Sequence, residues 1–128
     1  FEGIDETIAM SSMYAANHLG AKVVATLTQT GKTALWMSRI SSNIAIFAMS
    51  DNYKTLKKVT IYRGVYPCYI DKTSADDWNH VNTHVIENLE DKSQVEKGDI
   101  VIVTKGMHKD KSGGTNLMKI LRVGDGNY

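Results

Sequence analysis

The amino-acid sequence predicts an α/β fold: a three-layer αβα sandwich around a mixed five-stranded sheet, mostly parallel, with the last strand antiparallel. Apolar runs of strand length alternate with segments of helical period, giving the order αβαβαβαββ. Strands separated by single helices should be parallel with right-handed crossovers. The last two apolar runs are joined instead by a polar, glycine-bearing loop, which predicts an antiparallel pair. The 128 residues read as one domain, 1–128, long enough to bury about two-thirds of its unfolded surface.

The first helix is expected over residues 5–19: Asp5, Glu6 and Thr7 suit its start, Ile4, Ile8, Ala15 and Leu19 share a face, and Gly20 is placed to end it. Residues 21–27 read as a buried strand, and a second helix should run from 33 to about 40 with Trp36, Met37 and Ile40 on its apolar face. The run Ile44-Ala45-Ile46-Phe47-Ala48-Met49 is too short for a helix and continuous enough for a strand covered on both faces, within 43–50. Ser50, Asp51 and Asn52 are capping residues for a third helix, with Leu56 and Val59 inward and Lys54, Lys57 and Lys58 outward, closed near Gly64. A strand at 65–70 follows. Ser74-Ala75-Asp76-Asp77 fits a capping box, and Trp78, Val81, Val85 and Leu89 form the clearest amphipathic stripe in the chain. The β-branched run Ile100-Val101-Ile102-Val103-Thr104 is the fourth strand, and residues 117–123 complete the sheet.

Fifteen basic against fourteen acidic side chains give a net charge of +1 with no block of like charge, a pattern that does not point to nucleic acid. The apolar stretches are strand-sized and the start Phe1-Glu2-Gly3 is neither basic nor followed by an apolar leader core, so neither a membrane partner nor a secretory signal is expected. A chain starting at Phe1 rather than Met is expected to be a fragment of something longer. The single cysteine, Cys68, precludes an internal disulfide and fits a reducing, cytoplasmic setting. Within Tyr66-Pro67-Cys68-Tyr69-Ile70 it reads as a packed apolar thiol rather than a nucleophile.

The segment Thr28-Gln29-Thr30-Gly31-Lys32-Thr33 carries the strongest functional signal, because an apolar strand breaks there into hydroxyls, a glycine and a lysine directly before a helix. Glycine lets the backbone approach an anion, a helix start presents amides with no partner in the helix, and hydroxyls add donors. The segment is not a Walker A loop, since the earlier glycine of that motif is missing. The alternative is an ordinary strand-to-helix turn with a threonine cap and a solvated lysine. Ligands of such sheets sit beyond the carboxyl ends of the parallel strands, where the loop after the fourth strand, with His108, Lys109, Lys111, Ser112 and Gly113, also emerges. That loop reads either as the second half of the same site or as a solvated hairpin whose lysines discourage edge pairing. No catalytic constellation stands out. His80 and His84 share a helical face without an obvious third metal ligand, and neither a serine elbow nor a dinucleotide fingerprint is present.

These segments resemble one family over nearly the whole chain. Met13-Tyr14-Ala15-Ala16-Asn17-His18-Leu19, residues 27–34, Tyr62-Arg63-Gly64-Val65-Tyr66-Pro67, residues 97–104 and Gly114-Thr115-Asn116 together are similar to the C-terminal domain of pyruvate kinase. Ser38-Arg39-Ile40-Ser41-Ser42 and Ile46-Phe47-Ala48-Met49-Ser50 look like the proteobacterial form regulated by sugar monophosphates and AMP. The resemblance implies a parent enzyme that transfers phosphoryl from phosphoenolpyruvate to ADP with Mg2+ and K+, as a cytoplasmic homotetramer. It places the catalytic residues in a preceding (β/α)8 barrel, so none is assigned within this chain and the domain needs no cofactor of its own. It also implies that Thr28, Gln29, Thr30, Gly31, Lys32 and Thr33 surround an effector phosphate and that residues 106–114 form the effector loop. Relatives regulated by fructose 1,6-bisphosphate hold the second phosphate with an arginine that this chain lacks between Ser74 and Gly98. One phosphate is therefore expected, with His108, Lys109 or Lys111 acting on the rest of the ligand. The alternative is an autonomous phosphate-binding or interaction domain without catalytic activity.

Overall fold

A computed structural model describes residues 3–71, 80–106 and 115–128. Its elements are α1 (Ile4–Leu19), β1 (Val23–Leu27), α2 (Lys32–Ser38), β2 (Ala45–Ser50), α3 (Tyr53–Val59), β3 (Val65–Tyr69), α4 (Val81–Asp91), β4 (Ile100–Lys105) and β5 (Leu117–Arg122). The strands form a five-stranded sheet in the order β3-β2-β1-β4-β5. β1 pairs in parallel with β2 and β4, β2 in parallel with β3, and β4 antiparallel with β5. This is the mixed sheet the sequence predicts.

Alternating side chains divide the core into two halves, one on each face of the sheet. Val23, Ala25 and Leu27 of β1 and Val101 and Val103 of β4 pack with Val81, Val85, Ile86 and Leu89 of α4. Val24 and Ile102 point the other way, onto Ala9, Met13 and Ala16 of α1, Ala34 and Met37 of α2 and Val59 of α3. Among the described residues α2 and α3 join α1 on one face and α4 lies on the other, because the chain steps outward from β1 to β2 to β3 and then returns past β1 to β4. With one crossover hand, reversing direction moves the connecting helix to the opposite face. Every residue of β1 is buried, which is why its run is continuously apolar rather than alternating. Each fully buried aliphatic side chain of this kind contributes about 1.5–3 kcal/mol.

Local chemistry sets the element ends. Gly20 adopts a left-handed conformation (φ 68°), and both its N–H and that of Ala21 return to Ala16 O, so Ala21 closes α1 instead of opening β1. Asn52 Oδ1 accepts from Lys54 N–H at 3.0 Å and caps α3, with Leu56 and Val59 buried and its lysines exposed, as expected. α2 ends at Ser38, earlier than expected, because Arg39 and Ile40 bond back to Trp36 and Met37 in tighter turns. The buried face of α1 also differs from the expected one. Ala9, Ser12, Met13 and Ala16 face the sheet, whereas Ile4 and Leu19 are exposed. Small residues let the helix lie close on β1 and β4, and the larger aliphatics sit outside that contact. The expected capping box at 74–77 and Trp78 lie outside the described residues.

Cys68 is buried in the edge strand β3 with Sγ 3.5 Å from Asn88 Oδ1. Burial pushes its thiol pKa up, with Lys92 opposing in part. Suppressing the thiolate makes this a packing residue, as the sequence predicts.

Candidate functional site

The strand order reverses between the parallel neighbours β1 and β4. Open α/β sheets form a crevice outside the carboxyl ends of their strands at such a reversal of order. Two hydroxyl pairs join its sides. Within the sheet, Thr104 Oγ1 donates to Thr26 Oγ1 at 2.9 Å, both side chains fully buried. Above them, Thr33 Oγ1 in the first turn of α2 lies 3.0 Å from Thr115 Oγ1, just before β5, and both residues are buried. The second pair connects the turn after β1 to the chain returning from β4, positions 82 residues apart.

The turn itself is built by its own threonines. Thr28 N–H continues the sheet by donating to Met49 O at 3.0 Å. Thr28 Oγ1 then accepts Gly31 N–H at 2.9 Å, and Thr30 Oγ1 accepts Lys32 N–H at 3.3 Å. From α3, the Thr55 hydroxyl donates to Gln29 O at 2.5 Å. Because Thr28 and Thr30 accept in these contacts, each retains a hydroxyl proton that can be donated elsewhere. The α-helical ladder of α2 opens with Leu35 N–H to Gly31 O at 3.0 Å, so the amides of Thr33 and Ala34 precede it, as at any helix start.

Gly31 is required twice over. Its φ of 84° lies in the left-handed region. A methyl group there would also sit 2.8 Å from Val59 Cγ1 and 3.6 Å from Thr55 Cγ2. Lys32 is exposed, and its ammonium lies 5.0 Å from the centre of the Trp36 ring, one turn further along α2. A cation held on that ring would act on an anion at the turn through the field rather than by direct contact.

Thr28, Gln29, Thr30, Gly31, Lys32 and Thr33 thus form one compact turn at the crevice. His108, Lys109, Lys111, Ser112 and Gly113 lie outside the described residues. Two features escaped the sequence. Lys58, read as a solvated lysine, passes the turn with Cε 3.9 Å from where a Gly31 Cβ would stand. Lys105, just past the expected fourth strand at 100–104, is the last residue of β4 and is buried. Burial lowers its pKa, and nearby Lys119 adds to the effect. Neither position shows in a one-dimensional pattern, because each depends on how α3 or β5 packs against its neighbours.

Hydroxyls, amides and ammonium groups are donors, and no carboxylate occurs in residues 28–33, so the turn has the chemistry to hold an anion and lacks that for a metal cation. Among the described residues, no group of three or more His, Cys, Asp or Glu is arranged to hold a metal ion, and His80 and His84 are both exposed. No helix among them is long and apolar enough to cross a membrane.

Residues 6–121 match the family model described as "Pyruvate kinase, alpha/beta domain". The chain is 46% identical over 124 residues to pyruvate kinase II of Salmonella typhimurium, covering 96% of this chain and 25% of that protein. It is 48% identical to a pyruvate kinase of Buchnera aphidicola subsp. Schizaphis graminum, over the same shares of both chains. Identity to the Clostridium acetobutylicum pyruvate kinase is 33% over 115 residues, 90% of this chain and 24% of that protein. The chain therefore spans about a quarter of the length of these curated relatives. By the family match and by these identities, the chain belongs to the pyruvate kinase α/β-domain family.

Proposed function

We propose that this chain is the C-terminal regulatory domain of a pyruvate kinase and binds an allosteric sugar phosphate or nucleotide monophosphate in the crevice between β1 and β4. The observation that carries this reading is the Thr33–Thr115 hydroxyl contact, which brings an anion-donor turn and the return of the β4–β5 connection together where the strand order reverses. In this reading Thr28, Gln29, Thr30, Gly31, Lys32 and Thr33 hold the phosphate, and His108, Lys109, Lys111, Ser112 and Gly113 act on the rest of the effector. The parent enzyme, a cytoplasmic homotetramer, transfers phosphoryl from phosphoenolpyruvate to ADP in its barrel, and Mg2+ and K+ serve that barrel.

Calorimetric titration of the chain with ribose 5-phosphate, glucose 6-phosphate, AMP and fructose 1,6-bisphosphate tests the proposal. At least one monophosphate should bind, and the bisphosphate should gain nothing from its second phosphate. The same preparation, freed of host enzyme, should not turn over phosphoenolpyruvate with ADP. Absence of binding across the panel would remove the effector role, and turnover would overturn the assignment of catalysis to the barrel.

Contacts to sister subunits are the second part of the proposal. The outer face of α1 exposes Ile4, Met10, Tyr14 and Leu19, and Tyr14 stacks on His18 at 5.9 Å. Met10, Tyr14, Asn17, His18 and Ile40 line a groove of about 460 Å3. An apolar surface of this kind supports association. The solution mass is expected to rise above the 14.2 kDa of one chain as concentration increases. A strictly monomeric mass throughout would count against this face as a subunit contact.

A further inference from the structure

The hydroxyl contact between Thr33 and Thr115 has a direction that depends on what lies beside it. A hydroxyl carries one proton to donate and two lone pairs to accept with. At 3.0 Å either oxygen can be the donor. An anion offers acceptors only. If Thr33 donates to an anion, its single proton is committed, and the contact with Thr115 survives only with Thr115 as donor. Both residues are buried, with 3% and 6% of their surfaces exposed, so each hydroxyl has the other as its nearest hydroxyl partner. The backbone beside Thr115 is also held in place, because Asn116 N–H donates to Lys105 O at 3.2 Å and extends the β4–β5 ladder by one bond.

We propose that Thr115 is a positioning residue of the effector site, its hydroxyl donating to Thr33 Oγ1 so that the Thr33 proton is directed at the phosphate. The inference rests on reading the crevice as a phosphate site and adds a residue on the opposite side of it. It makes the site a two-part device. The group that touches the anion sits on α2, and the group that orients it sits on the strand pair β4–β5. Thr115 thereby links occupancy of the turn to the register of the chain entering β5.

The test is a double-mutant cycle in the full chain, read by calorimetric titration with ribose 5-phosphate, glucose 6-phosphate and AMP. Thr115→Val keeps the shape and removes the donor, and should weaken the binding ligand about five- to tenfold. Thr115→Ser restores the hydroxyl and should bind like the wild type. In a Thr33→Ala background, Thr115→Val should cause no further loss, because the oxygen it orients is gone. A purely structural role would lower the unfolding midpoint of Thr115→Val and leave affinity unchanged, which would overturn the inference. Equal losses from Thr115→Val with and without Thr33 would overturn it as well. Should Thr115→Val not fold, Thr115→Ala against Thr115→Ser supplies the same comparison. A wild-type chain that binds none of the ligands rejects the phosphate site itself, an outcome distinct from a binding wild type matched by Thr115→Val.

Discussion

Replacing Gly31 with alanine is expected to lower the unfolding midpoint by about 10 °C and to abolish phosphate binding. Two costs add at this position. A non-glycine residue in the left-handed region costs about 1–2 kcal/mol, and the backbone holds φ at 84°. The added methyl would lie 2.8 Å from Val59 Cγ1, a fully buried side chain. Forcing such a contact in a packed core typically costs about 1–3 kcal/mol more. Gly20→Ala provides the control, because Gly20 has a similar φ of 68° and nothing within 4 Å of its Cβ position. Thermal unfolding followed by circular dichroism should show the smaller, conformational cost alone in Gly20→Ala and roughly twice that loss in Gly31→Ala. Equal losses would mean that Val59 moves aside and that steric crowding does not shape the turn.

The second large effect concerns affinity. Thr30→Ala combined with Thr33→Ala should weaken binding of a sugar monophosphate by about ten- to a hundredfold or more, since each charge-assisted hydrogen bond lost typically costs about 1.5–3 kcal/mol. The fold should survive. Thr30 is only partly buried, and its hydroxyl oxygen accepts Lys32 N–H at 3.3 Å. Lys32→Ala should act more weakly and in a salt-dependent way, because its ammonium rests on Trp36 and reaches an anion only through the field. Titrations at two salt concentrations separate the cases. Unchanged affinity in the double threonine variant would leave residues 28–33 as a capped turn and move the ligand elsewhere.

What could be read from the sequence followed from which forces act locally. Strands buried on both faces need unbroken apolar runs, so β1, β2 and β4 stand out, and Asn52 announces its cap because it acts within two residues. The turn at residues 28–33 was legible for the same reason, as the hydroxyls, the glycine and the helix start are contiguous. The buried face of α1 was misread because hydrophobicity favoured Ile4 and Leu19, while close packing on the sheet favoured Ala9, Ser12 and Ala16. Thr115 as a partner of Thr33, Lys58 beside the turn and Lys105 in the sheet all required the strand order, which no local pattern encodes. Without knowing that β4 returns to the side of β1, nothing in the chain relates position 33 to position 115.

The same strand order has a consequence for biosynthesis. β1 is the middle strand, bonded on one edge to β2 and on the other to β4, and its partner on the second side is separated by 78 residues, as in the Thr26–Thr104 contact. A ribosome making this chain releases β1, β2 and β3 long before β4, so one edge of the most buried strand stays unsatisfied while most of the domain is already outside the exit tunnel. An open, apolar edge of that kind is a template for pairing with other chains. Nascent chains halted before β4 and β5 have left the tunnel should therefore depend on chaperones that shield strands, and chains released whole should depend on them less.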